Sequence, residues 1–143
     1  MIITESVFSK QFFISSRNPY KESLNIRDFA ATLGDIVEKK NSYITDGPRH
    51  RLDVAFQLTV SIDSFCKVIV EFTIDGDIYE GKSKLNIFIE YIIETKTAEE
   101  GIFSEIFTEY YLKKYFSRNK EAANKKINEI ITSVEKNFQL NKV

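Results

Sequence analysis

The strongest constraint in this chain is a set of three runs in which apolar residues fall at every second position. Leu52, Val54, Phe56, Leu58, Val60 and Ile62 alternate with Asp53, Ala55, Gln57, Thr59 and Ser61. Cys66, Val68, Val70, Phe72 and Ile74 alternate with Lys67, Ile69, Glu71 and Thr73, and Leu85, Ile87, Ile89, Tyr91 and Ile93 with Asn86, Phe88, Glu90 and Glu94. Side chains on a strand point alternately to its two faces, so each run is a strand with one face buried and one face wet. Short connections between such strands favour an antiparallel meander. Asp46-Gly47-Pro48 and Asp63-Ser64 read as turns, and Asp75-Gly76 as a tight hairpin turn, with Gly81 a bulge in the segment that follows.

A sheet with one apolar face needs a cover, and the C-terminal stretch supplies one. From Ser117 to Phe138 the apolar residues Ala123, Ile127, Ile130, Ile131, Val134 and Phe138 recur at helical spacing. Lys125, Asn128 and Thr132 fall away from that stripe, and Ser117 is placed to cap the start. A helix of this kind is marginal alone in water and needs a surface to lie on.

The remaining segments are less regular. Residues 2–14 read as a first strand, with Phe8, Phe12 and Ile14 in the parity of Ile2. Asn18-Pro19 opens a helical stretch to Leu33, divided by Asp28 into two short helices and stopped by Gly34. Asp35 to Thr45 reads as a strand without clean alternation. Residues 97–116 fit two templates. Thr97-Ala98-Glu99-Glu100 with Phe103, Phe107 and Tyr111 suits a helix, while Ile102, Ile106, Tyr110 and Leu112 alternate as in a strand. A meander that already leads into this segment favours strand. The expected architecture is one α+β domain over residues 1–143: an antiparallel sheet of six to seven strands wrapped around a long C-terminal helix.

That order of elements resembles the helix-grip fold of the START/SRPBCC superfamily, the Bet v 1-like proteins. Leu24-Asn25-Ile26-Arg27-Asp28-Phe29, followed by Leu33-Gly34-Asp35-Ile36-Val37, is similar to that superfamily's stretch after its first strand, without the Pro of its break into the second. The resemblance implies a cavity between sheet and last helix that holds an apolar small molecule or lipid. Here it would be lined by Leu52, Val54, Phe56, Val68, Val70 and Phe72 from the sheet, by Phe103 and Phe107, and by Ile127, Ile130 and Val134 from the helix. The run Cys66 to Gly81 also resembles the strand pair of SecB-type export chaperones. That resemblance implies the alternative: a filled core, with function on a surface used for self-association or client binding.

Other chemistry is thin. His50, the one histidine, lies between Arg49 and Arg51 at a strand start, with no Cys-x-x-Cys or second His to complete a metal site. Cys66, the one cysteine, belongs to an apolar parity and reads as a buried thiol, which rules out an internal disulfide framework and suits a reducing, cytoplasmic setting. Glu90 and Glu94 would meet Glu105 and Glu109 if the later segment is a strand, a solvated face rather than an acid–base pair. Lys120, Lys125, Lys126 and Arg118 are diluted by Glu121 and Glu129, and the formal net charge is −1, so no field attracts nucleic acid. No apolar run reaches the length of a membrane span. Neither a cofactor motif nor a catalytic constellation is legible, and the chain reads as a binder, with homo-oligomerisation open, rather than as an enzyme.

Overall fold

A computed structural model describes residues 2–15, 17–79, 82–96, 110 and 116–142. The elements are β1 (Ile2–Ser15), α1 (Pro19–Ala31), β2 (Asp35–Asp46), β3 (Arg49–Ser61), β4 (Cys66–Tyr79), β5 (Lys82–Lys96), α2 (Phe116–Phe138) and β6 (Asn141–Lys142). The strands form one antiparallel sheet in the order β2-β3-β4-β5-β1-β6. Among the described residues five strands are long and a sixth has only two residues, so the full-length strands are fewer than the six to seven expected. The anticipated strand or helix at 97–116 lies almost wholly outside the described residues.

The three alternating runs become β3, β4 and β5, with the apolar parity inward as read. Leu52, Val54, Phe56 and Leu58, then Val68, Val70, Phe72 and Ile74, then Leu85, Ile87, Ile89, Tyr91 and Ile93 are buried in a single cluster. Phe56 and Phe72, opposite each other in the β3–β4 register, stack at 4.7 Å between ring centroids. Both helices close the same face. On α2, Ala123, Ile127, Ile130, Ile131 and Val134 are buried. Each such branched side chain contributes about 1.5–3 kcal/mol when removed from water. The helix lies on β4 and β5 and meets α1, where Phe29 and Phe138 pack edge to face at 5.7 Å.

β1 and β2 are separated by β5, β4 and β3, so the chain must cross four strand spacings, about 19 Å. The 13 residues of α1 span about 20 Å, which matches. Asn18 caps this helix, its Oδ1 accepting from the Lys21 N–H at 3.4 Å, and Pro19 occupies the first turn. Two short helices are expected here; one continuous helix, Pro19–Ala31, forms, and Asp28 stands inside it, paired with Arg27 at 3.2 Å, rather than capping an inner break. Its buried positions, Pro19, Ser23, Ile26 and Ala30, run down one stripe.

Three further expectations are corrected, and a fourth is not reached. Asp75-Gly76 is not a turn: both residues lie inside β4, opposite Asn86 and Leu85, and the hairpin pairing continues to Tyr79 opposite Lys82. Asp75 accepts from the Asn86 side-chain amide at 3.1 Å, and Gly76 fills a gap where a Cβ would come within 2.8 Å of Leu85 Cδ2. Gly81, expected as a bulge, lies outside the described residues. α1 ends at Ala31 with Thr32 at its C-cap, short of the Gly34 expected to stop it; Gly47, in the β2–β3 turn, is the described glycine with positive φ, at 59°. Ser117 stands inside the first turn of α2 rather than at its cap.

At its other end α2 stops on Gln139, at φ 51°, with the Leu140 N–H donating to the Glu135 carbonyl at 3.1 Å. This left-handed cap turns the chain back so that Asn141 and Lys142 pair with Phe13 and Phe12 of β1.

Candidate functional site

Nine of the eleven residues expected to line a cavity are described: Leu52, Val54, Phe56, Val68, Val70, Phe72, Ile127, Ile130 and Val134. All nine belong to the one buried cluster between the sheet and α2. Phe103 and Phe107 lie outside the described residues. The seam also contains Tyr91, which is 1% exposed. Burial, with the Glu135 carboxylate adding to it, pushes its phenol up to about 12, so the hydroxyl stays protonated at neutral pH. It is a polar tip on an otherwise apolar wall.

Two hollows lined by described residues open elsewhere. One, of about 180 Å³, lies at the β3–β4 turn around Asp63 and Cys66. That turn is firmly held: Asp63 Oδ1 accepts from the Phe65 and Cys66 N–H groups, each at 2.7 Å, and Oδ2 accepts from the Asn119 amide at 2.6 Å. Cys66 is buried as expected, and burial, then the Asp63 charge, pushes its thiol up, which opposes nucleophilic use.

A larger hollow, about 700 Å³, lies on the polar face of the sheet away from the helices. Its walls carry Lys40, Ser42 and Ile44 of β2, Arg51 and Asp53 of β3, Asp75 and Asp77 of β4, and Lys84 and Asn86 of β5. The charges alternate and are largely spent on one another. Lys40 bridges to Asp53, and Arg49 grips Asp77 through both carboxylate oxygens at 2.6–3.1 Å. That grip holds the Asp77 carboxyl below its ordinary range and raises the Arg49 guanidinium. Glu94 pairs with Lys67 at 3.3 Å, and Glu71, opposite Glu90, takes Lys39 at 3.0 Å. Glu90 and Glu94 thus lie on the polar face as read, and their expected partners Glu105 and Glu109 lie outside the described residues. Among the described residues no group of three or more His, Cys, Asp or Glu could hold a metal ion. His50, the second residue of β3 and so at a strand start as read, stacks on Tyr43 at 5.7 Å and bonds Thr45 Oγ1 through Nδ1 at 3.0 Å.

The hollow opens toward the feature that sequence reasoning missed. β2 is the last strand on its side of the sheet, and among the described residues nothing pairs with its outer edge. The described large hydrophobics that stand exposed are Val37, Tyr43, Ile44, Phe65, Tyr79 and Tyr110, and half of them sit on this one strand, at 57%, 45% and 59% for the first three. A bulge at Lys39, where Glu38 faces Phe56 and Lys40 faces Ala55, shifts the parity of the strand halfway along. Val37, opposite Gln57, and Ile44, opposite Arg51, therefore share the polar face although their numbers differ in parity. No sequence signal separates these two from core residues until the strand order and the bulge are known.

No protein-family model matches the chain, and no curated protein matches it. Among solved structures, the crystal structure of Ara h 8.0201 aligns over 90% of this chain and 99% of that one, at 11% identity and a TM-score of 0.23. This is a weak resemblance to a Bet v 1-family protein, too low in TM-score to carry a shared fold or a site. No helix among the described residues is long and apolar enough to cross a membrane.

Proposed function

We propose that this chain is a protein-interaction module that works through the open β2 edge of its sheet and the polar face beside it. The observation that carries this reading is the concentration of exposed Val37, Tyr43 and Ile44 on a strand whose outer backbone edge has no partner among the described residues. An unpaired strand edge offers a row of N–H and C=O groups to another chain, and apolar side chains along it supply the desolvation energy. The near-complete burial of Leu52, Phe56, Val70 and Ile130, each 2% exposed or less, supports a surface role over an internal one. The buried thiol of Cys66 suits a reducing cytoplasmic setting. Size-exclusion chromatography with light scattering, from low to high micromolar protein, tests the reading. Concentration-dependent association is the expected result, and a strictly monomeric species at high micromolar overturns it.

A second reading is a small binding protein that holds a hydrophobic or lipid-like ligand between the sheet and α2. It is favoured by the convergence of nine apolar wall residues on one seam and by the Tyr91 hydroxyl, a ready polar anchor at that depth. Native mass spectrometry of gently purified protein is its test: a retained apolar adduct lost on Ile130→Trp supports it, and bare protein mass counts against it.

A further inference from the structure

We propose that β2 pairs antiparallel with β2 of a second copy about a two-fold axis through Asn41; this rests on the surface reading above. The argument is one of register. Paired residues of a continuous sheet must point to the same face, and a bulge sets two residues against one. With the axis at Asn41, Lys39 and Lys40 together face Ser42 of the other copy, and the bulge is absorbed on both sides of the axis. Beyond it Glu38 meets Tyr43, Val37 meets Ile44, and Ile36 meets Thr45, each pair formed twice. The two most exposed apolar side chains of the strand, which share one face, thus cover each other. All twelve residues of β2 take part.

The charges on the strand fit this occupant. Bulges and lysines ordinarily keep a sheet edge from pairing. Here Lys39 and Lys40 are turned back onto Glu71 and Asp53 of their own sheet, and Glu38 is held by Arg27 at 3.2 Å. A flat strand from an unrelated protein would leave the extra residue at Lys39 unmatched, whereas a second copy brings the matching irregularity. An axis at Ser42 would set Val37 against Asp46 and Lys40 against Ile44. An axis at Tyr43 would pair only the second half of the strand, leaving Val37 uncovered and Lys40 facing Asp46. The Asn41 axis carries one penalty: Asp35 faces Asp46 at both ends.

That penalty supplies the test. Asp46→Lys turns two repulsive pairs into attractive ones, and we expect the dimer dissociation constant, from sedimentation velocity of the full chain, to fall roughly ten-fold. About the Tyr43 axis the same change sets Lys40 against a lysine and weakens the dimer. Val37→Asp should weaken association by roughly a hundred-fold, with an unchanged circular-dichroism spectrum because the side chain is exposed. Asn41→Cys, treated with a short bis-maleimide, should give covalent dimer, the buried Cys66 staying unlabelled. Association that persists while Asp46→Lys weakens it, or while Asn41→Cys fails to cross-link, overturns this register and leaves the surface reading standing. A monomer at every concentration overturns both.

Discussion

Gly34 offers a direct test of how the α1–β2 junction is built. A Cβ on this residue would lie 2.5 Å from the Thr59 carbonyl oxygen, 3.0 Å from Val60 Cγ2 and 3.1 Å from Leu58 Cδ1. The first contact decides the outcome. Thr59 sits in the β2–β3 ladder opposite Asp35, so its oxygen cannot retreat unless the ladder moves with it. Overpacking of this kind costs about 1–3 kcal/mol. Gly→Ala also stiffens the unfolded chain, which returns about 0.4–1 kcal/mol where the native backbone suits alanine, as the absence of a positive φ at Gly34 allows. The expected net loss for Gly34→Ala is about 1–2 kcal/mol, a fall in Tm of roughly 3–7 °C for a domain of this size. Gly76→Ala is the comparison. Its new Cβ meets Leu85 Cδ2 at 2.8 Å and Leu52 at 3.2 Å, methyl groups that can turn aside, so its loss should be the smaller. Urea and thermal unfolding of the two variants, with m-values checked for constancy, give the ranking. If Gly34→Ala were as stable as the parent chain, or if Gly76→Ala were clearly the worse, the backbone contact would not be what requires glycine there.

Three further outcomes are expected. Asp63→Ala and Asn119→Ala should each cost about 1–3 kcal/mol, and the double variant less than their sum, because one bond ties the β3–β4 turn to the start of α2; additive losses in urea titrations would show the two ends independent. Tyr91 has a folded-state value raised above its ordinary one of 10, so its stabilisation is complete below pH 10 and drains away as pH rises through about 12; the chain should lose stability over that window, and Tyr91→Phe should flatten the loss. Gln139→Gly should raise stability by a few tenths to about 1 kcal/mol, because glycine holds the left-handed cap without a Cβ penalty; a loss in thermal melts would mean that the glutamine side chain is itself needed.

What could be read from the chain beforehand follows from where one physical effect dominated. In β3, β4 and β5 burial on one face controls most positions, and alternation shows it: Leu52 to Leu58 and Leu85 to Ile93 fall inside with no exception in parity, while Ile69 of β4 is buried on the other parity. In β2 the bulge at Lys39 reverses parity midway and the edge leaves both faces mostly exposed, so the same code is scrambled. Asp75-Gly76 carries the local chemistry of a hairpin turn, but the pairing of Asp75 with Asn86 and the packing of Leu52 and Leu85 over Gly76 outweigh it. Gln139 hides a helix cap because glutamine is not a residue that signals one. The candidate edge was hidden for a different reason. Val37 and Ile44 look like core residues in sequence, and only the strand order, with β2 outermost, exposes them.

The balance between the two functional readings can be weighed energetically. A drug-sized ligand needs a pocket of about 300 Å³ or more. Opening that volume in an apolar core costs about 24 cal/mol per Å³, or about 7 kcal/mol, against a total stability of about 5–15 kcal/mol for a typical domain. Phe72, Val70, Ile130 and Val134 are each 2% exposed or less, so a guest that parts them must restore most of that energy before it gains any affinity. Pairing along β2 has no such cost. Val37 and Ile44 are more than half exposed, the backbone edge is in place, and the lysines that would oppose a partner are already engaged with Glu71 and Asp53. The remaining opposition comes from ordering two chains and from the Asp35–Asp46 contacts, and the latter weaken with added salt. Association through this edge should therefore strengthen as ionic strength rises, the reverse of what a charge-driven interface would do.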